Sequence, residues 1–96
     1  MEIQPLHTKV DKTIQTSYGT VVLEDPVHYP RGESNLYCVG QNGTVVWHAE
    51  RPDPNTHYSK LRFGDDGLSL STYTLSGHAC ELDLKTGKIL SQTSIQ

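Results

Sequence analysis

Helix-forming signals are the first thing this sequence lacks. Only two of its 96 residues are alanine, and nowhere do apolar residues hold the i, i+3, i+4, i+7 spacing of an amphipathic helix. No apolar run approaches the roughly 20 residues needed to cross a bilayer. The N-terminal Met-Glu-Ile-Gln-Pro-Leu-His has neither the basic region nor the apolar core of an export signal. These absences predict a soluble, cytoplasmic protein with no membrane partner. Cations are also scarce: 8 Lys and Arg stand against 11 Asp and Glu, for a net charge of -3, and no stretch of chain concentrates them. Phosphate neutralisation, the main source of affinity for nucleic acid, is thus poorly supplied, and no nucleic-acid partner is expected. Cysteine appears twice, at Cys38 and Cys80, a separation that fits neither a metal knuckle nor a redox pair. Both read as buried, reduced thiols, and their mutual distance is left open. Large apolar residues are few as well. Leu, Ile, Val and Phe number 22, close to the level of roughly 20% below which chains tend not to fold. So thin a core predicts help from a homo-oligomer or another protein partner.

What the chain does have is β chemistry. Ten Thr and eight Ser accompany segments with apolar residues at every second position, the pattern of half-buried strands. Strands are predicted near 12–17, 20–25, 35–39, 44–50, 58–63, 68–75, 78–84 and 88–94. Between them lie Tyr18-Gly19, Gln41-Asn42-Gly43, Gly64-Asp65-Asp66-Gly67, Ser76-Gly77 and Lys85-Thr86-Gly87, where Gly accepts positive φ and Asn or Asp can bond the nearby backbone. Arg51-Pro52-Asp53-Pro54-Asn55-Thr56-His57 holds two prolines and reads as an exposed loop, with residues 25–34 as a second. The fold class is therefore all-β, a single domain over residues 1–96. Its architecture is an antiparallel up-and-down meander of seven or eight strands, propeller-blade-like or curled into a barrel-like sheet.

Aligning the chain on its turn glycines exposes an internal repeat. Ile14 to Leu23 matches Cys38 to Trp47, which matches Leu82 to Ser91, with Gly19, Gly43 and Gly87 in register. The offset of 44 between the last two falls in the range of a four-stranded propeller blade. Glu81-Leu82-Asp83-Leu84-Lys85-Thr86-Gly87-Lys88-Ile89-Leu90, preceded by Asp65-Asp66-Gly67 and Ser76-Gly77, resembles the blade repeat of quinoprotein-type (PQQ-like) β-propellers over residues 35–92. In such blades an Asp-x-x-Thr-Gly-Lys turn leads into a strand that commonly ends in Trp. Trp47 holds that place in the middle copy and Ser91 replaces it in the last. The family's vicinal cysteines and acidic calcium cluster are missing, so the resemblance implies architecture and neither its catalytic residues nor a cofactor. On this reading residues 1–34 are a shortened repeat with an N-terminal hairpin and 35–96 a complete meander. Its open edges must be curled, blunted or paired with another copy.

Catalytic chemistry finds little support. No two of the five histidines are two, three or four residues apart, so sequence spacing defines no metal site. No Ser sits in an elbow turn. The twelfth residue counted from Asp65 is Ser76 where a calcium loop needs Glu, and Lys85-Thr86-Gly87-Lys88 lacks the spaced glycines of a phosphate loop. Both read as solvated turns. Candidate ligand-binding residues are those the two proline-bearing loops bring to one rim: Asp25, His28, Tyr29, His48, Asp53, His57 and Tyr58. Alternation along the strands sends at least one aromatic outward, which makes Tyr37, Trp47 and Tyr73 interface candidates. The reading these residues favour is a small non-catalytic β-sheet interaction module that self-associates. The alternatives are a small enzyme or ligand-binding protein with its pocket at the proline-rich rim, and an immunity- or inhibitor-type partner.

Overall fold

Turn chemistry delivers the eight strands. A computed structural model describes residues 3–95: β1 (Val10–Thr16), β2 (Gly19–Glu24), β3 (Leu36–Val39), β4 (Val45–His48), β5 (Tyr58–Phe63), β6 (Ser69–Thr74), β7 (His78–Asp83) and β8 (Ile89–Ser94). Every strand pairs antiparallel with its sequence neighbour, except that the ladder breaks between β4 and β5. The result is two four-stranded sheets, ordered β1-β2-β3-β4 and β5-β6-β7-β8. No barrel closes. Gly19, Gly43, Gly67, Gly77 and Gly87 all adopt positive φ in the turns, where a side chain would be strained.

The break falls inside the proline-bearing loop, not at residue 34. The predicted division into a shortened unit at 1–34 and a complete meander at 35–96 is therefore corrected: β3 and β4 belong with β1 and β2. The misreading came from treating three glycine turns as equivalent. Gly19 joins the first two strands of its sheet, whereas Gly43 and Gly87 each join the last two. Only the latter pair is a true repeat.

The repeat is deeper than its turns, because the two sheets carry irregularities at matching places. In the first, Asp11 is an extra residue between the pairs Val10↔Glu24 and Lys12↔Leu23, and Val46 is extra between Cys38↔Trp47 and Val39↔Val45. In the second, Ser59 is extra between Tyr58↔Thr74 and Lys60↔Tyr73, and Leu90 between Glu81↔Ser91 and Leu82↔Ile89. These bulges equate Lys12 with Lys60, Leu23 with Tyr73, Cys38 with Glu81 and Trp47 with Ser91.

That equivalence fixes how the sheets stack. The main core takes Ile14, Val21, Leu23, Leu36, Cys38 and Trp47 from the first sheet, against Leu61, Leu70, Cys80 and Leu82 from the second. Leu70 and Leu82 correspond to Thr20 and Val39, whose strands turn that face the other way. Val39 instead joins Val22 and Tyr37 in a second cluster with Ile3 and Val10. The sheets thus pack front on back, each presenting a different face to the contact. Trp47 shows the consequence. Its indole lies over Gly87 of the following sheet and its Nε1 donates to the Leu84 carbonyl at 3.2 Å. The equivalent Ser91 faces outward with no further sheet to cover, and it is exposed.

Gly87 and Gly67 separate backbone strain from packing. Their φ values are 73° and 70°, but a Cβ at Gly87 would collide with the Trp47 ring while one at Gly67 would meet nothing. Gly67→Ala should cost about 1 kcal/mol, and Gly87→Ala about 2–4 kcal/mol once the displaced indole is added. Urea denaturation of the two variants checks this, and equal losses would contradict the stacking.

Candidate functional site

The rim expected to hold the site is organised around a carboxylate. Glu24 ends β2 and is fully buried. Its carboxylate oxygens accept hydrogen bonds from three successive backbone N–H groups, those of Leu6 at 2.6 Å, His7 at 3.0 Å and Thr8 at 2.8 Å, and also from the Tyr37 hydroxyl. No cation joins them, since the ion pair found among the described residues is His7 with Glu33. Burial pushes the Glu24 carboxyl upward in pKa, but the donors from Tyr37, Thr8, Leu6 and His7 outweigh it and hold the group below the ordinary glutamate range. Tyr37 correspondingly holds its proton far more tightly than a free tyrosine, through burial and then its bond to Glu24. The clamp fixes residues 6–8, so that the segment from Ile3 covers the outer face formed by Val22, Tyr37 and Val39.

A second knot joins the sheets. Asn35 donates through Nδ2 to the carbonyls of Glu24, at 2.7 Å, and Tyr58, at 2.8 Å, while its Oδ1 accepts from the Tyr58 N–H at 2.8 Å. One buried amide therefore satisfies backbone groups of both sheets. The Tyr58 hydroxyl donates to the Glu50 carbonyl, which leaves this phenol wholly interior and its pKa raised, first by burial.

The candidate rim residues divide accordingly. Tyr29 and His57 come together, their ring centroids 5.6 Å apart, and His7 packs on the other side of Tyr29 at 5.0 Å. The His57 Nε2–H donates to the carbonyls of Pro30 at 3.0 Å and Glu33 at 3.1 Å. The Tyr29 hydroxyl is buried with no partner among the described residues, and burial, then the charges of Glu24 and Glu33, push its pKa up to about 12. His28 stands apart, exposed, with a left-handed φ of 69°. Asp25 and Asp53 cap their own loops by accepting from the N–H groups of Val27 and Asn55 at 2.9 and 2.8 Å. His48 lines a cleft of about 510 Å³ with Glu33, Glu50 and Arg51, but Arg51 is already engaged with the carbonyls of Arg31 and Thr56. So the predicted set does not converge on one concavity. Tyr29, His57 and Tyr58 are packing elements, and the signal that could have found the cluster was His7, placed there by the clamp on Glu24.

Two interface candidates are corrected as well. Tyr37 and Trp47 are 1% and 8% exposed, so neither presents a ring to a partner. Alternation does place the two rings on opposite faces of the hairpin, but Trp47 packs in the core against the second sheet and Tyr37 lies under the N-terminal segment that covers the outer face. Tyr73 alone remains accessible. The two cysteines are free and buried in the one core, their thiols pushed up in pKa by that burial. Among the described residues no group of three or more His, Cys, Asp or Glu could hold a metal ion, and no helix is long and apolar enough to cross a membrane.

The molecule is thus an all-β protein of two antiparallel four-stranded sheets, with the Glu24 clamp and the Asn35 knot at its polar rim. Over residues 3–94 it matches the family described as Domain of unknown function (DUF7957), and the chain belongs to that family. No curated protein and no solved structure matches it.

Replacing Glu24 tests the clamp. With a depressed folded-state pKa, its stabilisation is fully present above the ordinary glutamate pKa and is lost as pH falls through the lower folded value. Glu24→Gln should cost about 2–4 kcal/mol at neutral pH, because charge-assisted bonds are weakened in a buried site. It should also flatten the acid limb of a stability-against-pH profile. An unchanged acid limb would show that another group controls it.

Proposed function

We propose that this chain is a non-catalytic β-sheet interaction module that associates with a second copy of itself through the outer edge of β8. The observation that carries the reading is the contrast among the four sheet edges. β1 carries Asp11 and Lys12 beside a bulge, and β5 carries Lys60 and Arg62 beside another. β4 is only four residues long. Charge, bulges and shortness are the devices that keep edges from pairing. By contrast, β8 runs Ile-Leu-Ser-Gln-Thr-Ser with no charge and no proline. It is exposed from Leu90 onward, and its bulge falls at the very start. Among the described residues only its first is occupied from outside, where the Ile89 N–H donates to the Glu50 carboxylate at 2.9 Å.

A second copy suits this edge because an antiparallel β8–β8 contact sets Ser, Gln and Thr against one another and opposes no like charges. Leu90 and Ile95, both exposed, would gain cover. Sheet faces serve this purpose less well, since the N-terminal segment already covers the outer face of the first sheet and Lys60, Arg62 and Glu81 make that of the second polar. The architectural part of the proposal is that each sheet is a unit of the propeller-blade type. Consecutive antiparallel order, matched bulges and front-on-back stacking support it. A reducing, cytoplasmic setting is part of the same reading, supported by two unpaired cysteines.

Sedimentation equilibrium across the micromolar range should give a dimer for the native chain and a monomer for the double variant Leu90→Lys, Gln92→Lys, with unchanged circular dichroism. A native chain that stays monomeric throughout would refute self-association. A dimer that survives the double variant would move the interface elsewhere.

A further inference from the structure

Although the chain is acidic and its cations are dispersed in sequence, the fold gathers three of them. Lys12 lies on edge strand β1, in register with Leu23, and β5 runs beside β1 and β2. Lys60 and Arg62 alternate along β5, in register with Tyr73 and Ser71 of β6. All six residues line one cavity of about 590 Å³, which Leu23, Leu61 and Ala79 border with apolar side chains. Among the described residues Asp11 is the only carboxylate in that lining, so a protein of net charge -3 presents there a surplus of two positive charges from those residues. Among the described residues none of the three cations is in an ion pair, and their head groups make no hydrogen bond to protein. Glu81, one strand further on the same face, does not line the cavity.

We infer that this cleft binds a small organic phosphate, with the phosphoryl group held by Lys60, Arg62 and Lys12 and an aromatic body laid against Tyr73. The volume lies within the range of about 300–1,000 Å³ typical of small-molecule sites, and apolar walls with a few polar groups are their usual composition. Residues i and i+2 of a strand project from the same face about 6.6 Å apart, a span that lets one phosphoryl group contact both Lys60 and Arg62. The guanidinium adds a planar pair of donors matched to phosphate oxygens. Hydroxyls at Ser71 and Tyr73 supply further donors, which a phosphate with several acceptor oxygens can use and a carboxylate cannot use as fully. The cleft is separate from the β8 edge, so binding here is independent of self-association.

Amide-resolved NMR titration of the full chain with phenyl phosphate, inorganic phosphate and phenol tests the assignment. Phenyl phosphate should give saturable shifts at residues 11–12, 59–62 and 71–73 with Kd about 1 mM or tighter. Inorganic phosphate should bind at the same amides more weakly, and phenol should not saturate. Lys60→Gln and Arg62→Gln, both at exposed positions that leave folding intact, should each weaken phenyl phosphate about tenfold. Tyr73→Leu should erase its advantage over inorganic phosphate. Absence of saturable shifts, shifts centred elsewhere, equal response to phenol, or full affinity in both charge variants would overturn the proposal.

Discussion

Front-on-back stacking is the constraint from which the rest of this structure follows. Two sheets related face to same face close on themselves and leave only solvent-facing surfaces. Two sheets related face to opposite face do not. The contact made by Leu23, Leu36 and Trp47 against Leu70, Cys80 and Leu82 uses one face of each. It leaves the equivalent of Leu70 and Leu82 outward on the first sheet and the equivalent of Leu23 and Trp47 outward on the second. Repeat proteins meet the same difficulty and solve it with atypical ends. Here the two ends are solved by different means. On the second sheet substitution is enough, since the positions of Cys38 and Trp47 become Glu81 and Ser91, both exposed. On the first sheet Thr20 stands in the place of Leu70, while Val22, Tyr37 and Val39 stay apolar and are covered by chain.

That cover explains why a carboxylate is buried without a cation. The segment from Ile3 to Thr8 forms no strand, so its backbone donors have no ladder to join. An uncapped N–H group in such a place costs free energy comparable to a lost hydrogen bond. Glu24 accepts three of them, and Tyr37 completes the shell. Ionised and surrounded by donors, the carboxylate is more favourable than its burial alone would suggest, which is why its pKa lies low despite desolvation. The arrangement also seats His7 against Tyr29 and Glu33, so the packing of the rim depends on the clamp as well.

Much of the fold was legible because the local signals agree with the global one. Each of the eight predicted strands appears within a few residues of its expected place, and each glycine turn closes a hairpin. What misled was equating Gly19 with Gly43. Hairpin chemistry is the same wherever a hairpin sits in a sheet, so turn residues mark that two strands are joined and not which two. The bulges would have decided the matter, but an extra residue such as Asp11 or Ser59 is defined by a partner strand and leaves no mark of its own. Burial of Tyr37 and Trp47 escaped for a related reason. Alternation predicts opposite faces, yet it carries no information on whether one face or both are covered.

Charge shows the same limit most sharply. Lys12, Lys60 and Arg62 cannot register as a patch in a linear reading, because Lys12 lies in another sheet from the other two and Leu61 separates those. Bulges turn this dispersion into convergence. The extra residues Asp11 and Ser59 precede Lys12 and Lys60 at equivalent places, so the two lysines occupy the same structural position in successive units. Under front-on-back stacking the inner-facing Lys12 of one unit and the outer-facing Lys60 of the next then approach the same edge, where β5 runs beside β1. Repetition of a single edge-protecting device, followed by stacking, is enough to assemble a cationic cleft in an acidic chain. It requires no local motif.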